Sequence, residues 1–480
     1  MPIMKRSQKH VLNALGMVGL CGLLGCGSSS SSPTVSTMAG AAPMVVTVSD
    51  APLGNILSAK VTISAVAVSA ASGGSPVSLL TQPVTVELSS LGAVQEPIEI
   101  TNLVSGTYNS ATVTVSSAQV TYINSGGQVT TATATLNQPT VTVALSPALN
   151  VSGQGEVQLQ LAFNLAQSFS VSGSTVSFTP AINTLGAQVS AENSGDREVE
   201  VGGPVISVSS SSITVQSGDS GKQFTFTING STQFPNGVTA GTIQTGSIVQ
   251  VQGQTQTDGS LLALMITPES TENSSGQQED GAKGIIVSVT KNSSGTITAF
   301  TMVPRECFGS ASSSASLNVA LSSSTMYGVP EDAQQAGVVS TAFTAAEIFP
   351  GQSVVVTGAA GSSGTLNAQQ VMLAAESLPG TLAATPQGSS PNFTFALTLA
   401  SSSYLTTYDG LASLNVSTSQ ATEYGNSLSA SSFAALAAGA SVEIHGYLLQ
   451  DSTGNFALYA SEISQVEAPE TPEGGSGGGN

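Results

Sequence analysis

The chain has 480 residues, a formal net charge of −19 and only 8% charged residues, against about 25% in ordinary soluble domains. This excess of acidic residues repels phosphate backbones and excludes nucleic acid as an expected partner. The length exceeds what one hydrophobic core can organise, so several domains are expected.

The N-terminus reads as a secretory signal peptide over residues 1–25. Basic Lys5, Arg6 and Lys9 precede an apolar run over residues 11–25, which is too short to span a bilayer comfortably. The protein is therefore expected to be exported.

The run ends in Leu23-Leu24-Gly25-Cys26, which resembles the bacterial lipobox. The resemblance implies cleavage before Cys26, diacylation of its sulfur, as with palmitate, and an N-terminal lipid anchor in the membrane. Gly27 after the cysteine implies transfer to the outer membrane. The alternative is an ordinary signal peptide with an incidental cysteine. Residues 26–43, rich in serine, are predicted to be a flexible tether, and Cys307 would remain as the one thiol without lipid.

Residues 44–190 are predicted to form an N-terminal β-sandwich. Apolar and polar residues alternate along short segments, most clearly from Val157 to Phe163. The segments Val46 to Pro52, Leu103-x-x-Gly106-x-Tyr108 and Phe163 to Ser168 resemble domain of unknown function family 4382, which implies an exported β-domain and supplies no catalytic residue.

An eight-residue pattern, Gly-x-x-Val-x-(Val/Ile)-x-Gly, occurs three times, beginning at Gly246, Gly351 and Gly439. Each copy predicts a strand with turns or bulges at its glycines. The recurrence predicts three tandem β-barrel repeats over residues 201–268, 283–377 and 378–466. The repeats resemble domain of unknown function family 5666, and their size and strand count are compatible with OB-like barrels. The fold class is thus predicted to be all-β.

Acidic residues concentrate in the predicted linkers, 191–200 and 269–282, and in the tail, 467–480. Calcium could bind such junctions, but the Asp-x-Asp-x-Asp-Gly loop is missing and solvated linkers are often acidic. We therefore predict neither a metal site nor a cofactor.

No catalytic constellation emerges from the sequence. Gly218-Asp219-Ser220-Gly221 resembles the nucleophile segment of chymotrypsin-like proteases, but the mature chain would keep only His445 as a proton acceptor. Because the sister repeats carry Gln252 and Thr357 at the position of His445, we predict a solvent-facing strand residue there and a hairpin turn at Gly218 to Gly221.

Three further residues have both a functional and a structural interpretation. Asp50 could bind a metal, although Asp before Ala-Pro usually forms a turn. Tyr404 and Tyr408 could stack on a sugar, but are more simply explained as a cap on the third barrel.

The sequence favours a bacterial cell-envelope protein, held by lipid at Cys26, that acts as a structural or binding module and not as an enzyme. An envelope protein or polysaccharide is the expected partner. The alternative is a carbohydrate-associated enzyme or accessory protein that uses an Asp/Glu pair in a cleft. We expect partner binding at the excursions 304–315 and 400–412, on repeats two and three, which lie furthest from the anchor provided the linkers do not fold the chain back. We also expect extra chain over 329–342 to project from the second barrel. The alternative is that these segments are neutral surface insertions.

Overall fold

The computed structural model describes residues 41–51, 55–91, 95–124, 126–152, 155–173, 175–188, 198–234, 238–269, 280–309, 315–361, 364–401, 403–425, 428–450 and 454–465. The predicted signal peptide, Cys26, most of the tether and the acidic tail lie outside the described residues. The described chain is mostly β-structure, which confirms the predicted all-β class. In this part of the chain no helix is both long and apolar enough to cross a membrane.

The N-terminal domain contains two principal sheets with a shared core. In the first sheet β1 lies between β10, to which it is parallel, and β5, to which it is antiparallel. In the second sheet the long strands β2 and β6 pair along most of their length. The elements are β1 (Ala41–Ala51), β2 (Ile56–Ala70), β3 (Val77–Ser78), β4 (Val84–Glu87), a 3₁₀ turn (Leu88–Ser90), β5 (Glu96–Val104), β6 (Gly106–Ile123), β7 (Val129–Thr133), β8 (Thr135–Leu136), β9 (Thr140–Val151), β10 (Val157–Asn164), α1 (Leu165–Ser168), β11 (Phe169–Ser172), β12 (Thr175–Phe178) and β13 (Ile182–Gln188).

Alternation explains the sheets of this domain. Val61 and Ile63 of β2 and Val113 and Val115 of β6 point into one apolar cluster, while the polar residues between them face outward. The long strands β2 and β6 also pair with short strands such as β3, β4 and β7.

Three β-barrels follow. Barrel 1 consists of β14 (Glu198–Val208), β15 (Ser212–Gln216), β16 (Gln223–Thr227), β17 (Ile248–Thr255) and β18 (Leu261–Pro268). Barrel 2 consists of β19 (Asp280–Lys291), β20 (Ile297–Phe308), β21 (Leu317–Ala320), β22 (Met326–Gly328), α2 (Glu331–Gln335), a 3₁₀ turn (Ala345–Glu347), β23 (Ser353–Ala360) and β24 (Thr365–Leu373). Barrel 3 consists of β25 (Glu376–Leu382), β26 (Gln387–Ser389), β27 (Asn392–Leu399), α3 (Tyr404–Asp409), β28 (Ser413–Ser417), β29 (Glu423–Gly425), α4 (Ala430–Ala434), β30 (Ser441–Gln450) and β31 (Phe456–Gln465).

The three barrels share one strand order. In barrel 1 the order is β14-β15-β16-β18-β17, and β17 pairs back with β14. The ring of barrel 2 closes because β21 pairs with both β20 and β24. The ring of barrel 3 closes because β25 pairs with both β30 and β27. Each barrel is a closed ring of five strands, and within the ring only the third and fifth strands in chain order pair in parallel. This arrangement is compatible with the OB-like barrel expected from the size of the repeats.

The two glycines of each octad have different roles. The first has a positive φ, 92° at Gly246, 94° at Gly351 and 85° at Gly439, which other residues adopt only with strain. The second sits at a register shift between the fourth and fifth strands, as between Thr357 and Gly358. A Cβ on Gly358 would collide with the Asn367 carbonyl oxygen of the facing strand.

The predicted linkers are shorter than the sequence suggested. β14 starts at Glu198, inside the expected linker 191–200, and β19 starts at Asp280, inside the expected linker 269–282. Glu198 and Glu200 alternate with the buried Val199 and Val201, so they occupy the outer face of a strand. Acidic residues at every second position were therefore misread as solvated linker.

The four modules pack against one another instead of extending away from the N-terminal domain. Lys222 of barrel 1 forms an ion pair with Glu99 of that domain at 2.6 Å. Arg305 of barrel 2 donates from Nε to the Leu57 carbonyl at 2.8 Å. The core cluster of barrel 3 includes Leu57 and Ile123. The expectation that repeats two and three lie furthest from the anchor required that the linkers do not fold the chain back, and this condition is not met.

Candidate functional site

A groove separates barrels 1 and 2 and has a volume of about 680 Å³. This lies within the roughly 300–1,000 Å³ typical of small-molecule sites. Barrel 1 contributes an apolar wall that includes Val238, Ile243 and Val249. The wall of barrel 2 includes Met326 and Met372, and Met326 is 50% exposed at the groove. We call this site the inter-barrel groove.

The helix α2 closes one side of the inter-barrel groove. Val329, Pro330, Glu331 and Gln334, from α2 and the residues before it, line the site, so polar side chains lie beside the apolar wall. This helix belongs to the extra chain 329–342, which the sequence predicted to project. The prediction is wrong, because Ala333 is buried in the core of barrel 2 and anchors the insertion there.

A second hollow, of about 470 Å³, lies at the end of barrel 1. Ile243 lines both this end hollow and the inter-barrel groove, so the segment 238–243 forms a partition between them. The apolar residues of the end hollow include Ile228, Phe234 and Ala240.

A charged centre lies close to the inter-barrel groove. Pro268 lines the groove, and the next residue, Glu269, is one of the carboxylates whose charges act on Lys283 of β19. Burial lowers the pKa of Lys283, but Glu269, Glu306 and Glu200 more than offset this, so the pKa lies above its usual value. The lysine is therefore a permanent cation among several acids.

The acids around Lys283 keep their protons more readily than exposed carboxylates do. Burial raises the pKa of Glu200 to about 7 and that of Glu306 to about 8, although Lys283 opposes both shifts. The Lys283 Nζ to Glu306 Oε1 distance is 3.9 Å, which is long for a charged hydrogen bond, so the cation does not overcome the cost of burial. Burial also raises the pKa of Asp332, which accepts a hydrogen bond from the Tyr447 hydroxyl.

His445 lies in the same junction, and the prediction that it faces solvent is wrong. Its side chain is partly buried, and its Nδ1 lies 2.9 Å from the Ser377 hydroxyl. Burial lowers the pKa of His445 to about 4, helped by the positive charges of Lys283 and Arg305. The imidazole is thus neutral at ordinary pH. The cause of the error is packing, since Tyr447 and Leu449, which follow His445 in β30, belong to the core cluster of barrel 2.

The turn Gly218 to Gly221 connects β15 and β16, as predicted, and Gly221 has a φ of 68°. The turn also reaches the N-terminal domain. Asp219 accepts from the backbone N–H of Glu87 at 2.7 Å, and the Ser217 hydroxyl lies 2.8 Å from Glu96 Oε1. Among the described residues, no histidine contacts this turn.

Glu96 and Asp219 form a close acid pair at this interface. Burial raises the pKa of Glu96 well above its usual range, and the charge and hydrogen bond of Asp219 raise it further. The Glu96 carboxyl therefore keeps its proton to a higher pH than an exposed carboxyl does. Glu96 is only 7% exposed, and neither residue lines the inter-barrel groove or the end hollow.

The two excursions expected to recognise a partner pack part of their described residues against the fold, whereas Gly309, Thr407 and Gly410 are exposed. Pro304 to Phe308 continues β20 along β19. In the excursion 400–412, Tyr404 of α3 is 3% exposed, donates its hydroxyl proton to Glu376 and belongs to the core cluster of barrel 3. Tyr408 packs against the same cluster, as the capping interpretation predicted. Burial raises the pKa of Glu376 to about 7, and the Tyr404 and Arg305 side chains oppose that shift.

The remaining candidates can be placed only in part. Asp50 lies in β1 opposite Phe163, and its side chain is outside the described part of the structure. Cys26 also lies outside the described residues, as do most linker and tail acids. Within the described ranges, no three His, Cys, Asp or Glu side chains are arranged to hold a metal ion.

Family models match two parts of the chain. Residues 41–180 match the model described as Domain of unknown function (DUF4382), and residues 202–267 and 400–464 match the model described as Domain of unknown function (DUF5666). The two resemblances predicted from the sequence are thereby confirmed. The matches to the second model cover barrel 1 and most of barrel 3. Barrel 2, which shares their strand order, lies outside the matched residues.

No curated protein sequence matches the chain. Two solved structures of the single-stranded DNA binding protein from Thermus aquaticus, a wild-type form and a deletion mutant, are similar over 42% and 41% of this chain and over 98% and 97% of the matched chains. Their identities are 13% and 14%, and both TM-scores are 0.18. A likeness this weak carries no argument about fold or ligand.

Sequence reasoning missed the inter-barrel groove. Its walls come from residues far apart in the chain, such as Ile243 and Met326, and periodicity describes single strands only. One signal was available. The insertion 329–342 contains the apolar residues Val329, Ala333 and Val338 at spacings of four and five, which is nearer to the pattern of a packed helical segment than to that of a polar, projecting loop.

Proposed function

We propose that this chain is an exported cell-envelope protein, anchored by lipid at Cys26, that acts by binding a ligand in the inter-barrel groove and does not catalyse a reaction. The matched families are of unknown function, so the proposal rests on the site itself. The observation that carries it is the groove of about 680 Å³, which combines apolar walls from two barrels with a few polar side chains.

The packing of the barrels supports a binding role. Phe308 of barrel 2 contacts Ile248 of barrel 1, and Val355 belongs to the same buried cluster. Because this apolar contact and the charged centre hold the two barrels together, the groove walls keep a fixed spacing. A preformed site loses little conformational entropy when a ligand binds.

Two tryptophan variants of the full-length protein test whether the inter-barrel groove binds a ligand. Met326→Trp places a bulky ring in the groove wall, whereas Val339→Trp, 65% exposed on the same barrel, lies outside the lining residues and serves as the control. Each protein would be purified from its envelope and analysed by mass spectrometry for retained small molecules and glycans. We expect wild type and Val339→Trp to retain a species that Met326→Trp loses. Identical contents in all three would contradict a ligand site in the groove.

The anchor needs a separate test, because it rests on the sequence Leu23-Leu24-Gly25-Cys26 alone. Cys26→Ala removes the only sulfur that the lipobox resemblance offers for diacylation. We expect the variant to appear unprocessed or in soluble fractions, whereas wild type stays with membranes after a salt wash. Membrane retention of correctly processed Cys26→Ala would refute the lipid anchor.

A carbohydrate-associated enzyme remains the second candidate, and one observation favours it. Glu96 and Asp219 form an acid pair in which the pKa of Glu96 is strongly raised, as glycoside hydrolysis requires of its general acid. Glu96 is buried between modules and does not line the inter-barrel groove, so this pair is better explained as an interface contact. Loss of a glycan-cleaving activity in Glu96→Gln would reverse this preference.

A further inference from the structure

We propose that the end hollow of barrel 1 binds a neutral aromatic small molecule, at a site separate from the inter-barrel groove. The hollow corresponds to a position that barrel 3 fills with the ring of Phe433. One turn, just before the fourth strand, recurs in all three barrels and relates the two positions.

In barrel 3 this turn is a capping box at the start of α4. The backbone N–H of Ser429 donates to the Ser432 hydroxyl at 2.8 Å, and the N–H of Phe433 donates to the Ser429 carbonyl at 2.8 Å. Phe433, the fourth residue after the cap, is thereby pointed into the barrel and is fully buried.

Barrel 1 contains the same turn. The N–H of Thr239 donates to the Thr242 hydroxyl at 2.9 Å, and the N–H of Ile243 donates to the Thr239 carbonyl at 3.3 Å. Ile243 is therefore the counterpart of Phe433. Barrel 1 therefore has an isoleucine where barrel 3 has a phenylalanine.

Barrel 2 repeats the turn with Thr344 as the cap, whose N–H donates to Glu347 at 2.9 Å. The residue before the cap and the fourth residue after it form the apolar pair of a hydrophobic staple in each barrel. These pairs are Phe343 and Ile348 in barrel 2, Leu428 and Phe433 in barrel 3, and Val238 and Ile243 in barrel 1. Barrels 2 and 3 each have one phenylalanine in this pair, whereas barrel 1 has none.

The rings of the sister barrels pack on an aromatic residue that also recurs. Tyr424 lies 5.6 Å from the ring of Phe433, and Tyr327 lies 6.2 Å from that of Phe343. The repeated Thr-x-aromatic step places Phe234 at the same point in barrel 1. Phe234 and Ile243 both line the end hollow, so this hollow lies where barrel 3 holds the Phe433 ring against Tyr424. In barrel 2 the ring is that of Phe343, the counterpart of Val238, which lines the inter-barrel groove instead.

The lining of the end hollow defines the ligand further. Its floor is apolar, and Ser209, Ser210 and Thr239 contribute hydroxyls near its mouth. No charged side chain belongs to the lining that the structure describes. Burying an ion here would therefore cost free energy without a partner, whereas a neutral ring can stack on Phe234 and hydrogen-bond to the hydroxyls. The volume of about 470 Å³ accommodates such a molecule.

The test uses N-phenyl-1-naphthylamine, a neutral aromatic probe that fluoresces when it leaves water. Ile243→Phe restores the ring found in barrel 3, and Val171→Phe, at a site 41% exposed in the N-terminal domain, is the matched control. We expect saturable binding to wild type and to Val171→Phe, and an affinity at least about tenfold weaker for Ile243→Phe. Benzyl alcohol should displace the probe, whereas benzenesulfonate should not.

If Ile243→Phe does not fold, as judged by thermal melting, Ala240→Leu fills the same hollow and should weaken binding likewise.

Met326→Trp separates this inference from the proposed function, because Met326 lines the inter-barrel groove and not the end hollow. Probe binding that survives both hollow-filling variants but is lost in Met326→Trp would overturn the end hollow and leave the groove as the site. Failure of wild type to bind the probe, or displacement by octanol and not by benzyl alcohol, would also overturn the aromatic ligand. Probe binding that survives Met326→Trp, together with identical retained species in the groove test, would support the end hollow and refute the groove.

Discussion

Glu306 of barrel 2 lies directly against Gly218 of barrel 1, where an added Cβ would come within 2.9 Å of Glu306 Oε2. The same Cβ would approach the Phe308 ring to 2.6 Å. The absence of a side chain on Gly218 thus lets the two barrels close over a carboxylate. This contact explains why burial raises the pKa of Glu306 to about 8.

The first prediction concerns pH. Because the folded-state pKa of Glu306 lies above its ordinary value of 4.5, its contribution to stability is fully present below about pH 4.5 and is lost as pH rises through about 8. We expect Glu306→Gln to flatten the fall in thermal midpoint between pH 6 and 9 and to raise the free energy of unfolding at pH 9 by about 1–3 kcal/mol. Burial also raises the pKa of Glu200, so the fall will not vanish.

Asp258→Asn is the matched control for this experiment. Hydrogen bonds from Ser260 lower the pKa of Asp258, so its contribution to stability is lost at acidic pH and not at alkaline pH. A Glu306→Gln protein whose midpoint falls between pH 6 and 9 as steeply as that of Asp258→Asn would contradict the prediction.

The second prediction concerns the octads. Gly358→Ala should lower the free energy of unfolding by about 1–3 kcal/mol, because its methyl group would collide with the Asn367 carbonyl across the bulge. Gly230→Ala is the control, since a Cβ there meets nothing within 4 Å, and its effect should stay within about 0.5 kcal/mol. Chemical denaturation measures both. Equal stability of the two variants would show that the bulge accommodates a side chain.

The third prediction concerns the contact between barrel 2 and the N-terminal domain. Arg305 is 5% exposed and donates to the Leu57 carbonyl, so Arg305→Met leaves a buried acceptor without its donor. We expect a loss of about 2–4 kcal/mol, whereas removal of the exposed cation in Lys291→Met should have little effect. Thermal melting at pH 7 would compare the two. Similar midpoints would mean that the N-terminal domain docks without this hydrogen bond.

The fourth prediction concerns His445. Its pKa of about 4 implies that the ring signals in NMR spectra remain those of the neutral imidazole from pH 8 down to about pH 5. Because the folded pKa lies below the ordinary value of 6.5, this histidine destabilises the fold as pH falls through the range between the two values. Arg305→Met removes one nearby positive charge and should raise the midpoint. A wild-type midpoint near 6.5 would place the ring in water.

The strands could be predicted from sequence more readily than the surfaces between modules. The octads contain both the alternation that forms the fourth strand and the glycines that its turn and bulge require, so Gly351 and Gly358 were recognisable from spacing alone. The environment of His445, in contrast, could not be recognised from the spacing of residues. A period of two assigns this residue to the outer face of β30 but does not say whether solvent or another barrel covers that face.

The same limit explains the error at Glu200. Acidic residues on the outer face of a strand and acidic residues in a linker look alike in one sequence, and only tertiary packing distinguishes them. Glu200, which looks like a linker residue in the sequence, is buried near Lys283 at the junction between barrels 1 and 2. The end hollow was also within reach of the sequence, because the residues four positions after the caps, Ile243 and Phe433, can be compared once the turns are aligned.

The contribution of Leu57 and Ile123 to the core cluster of barrel 3 sets an order of events for a newly made chain. Both residues leave the ribosome with the N-terminal domain, but Leu448 and Ile463, which belong to the same cluster, follow more than 300 residues later. Until barrel 3 has been made, the N-terminal domain exposes an apolar patch at these two residues that it does not cover by itself. Barrel 3 therefore covers this patch when it folds, and a chain truncated before barrel 3 would be prone to aggregation and proteolysis.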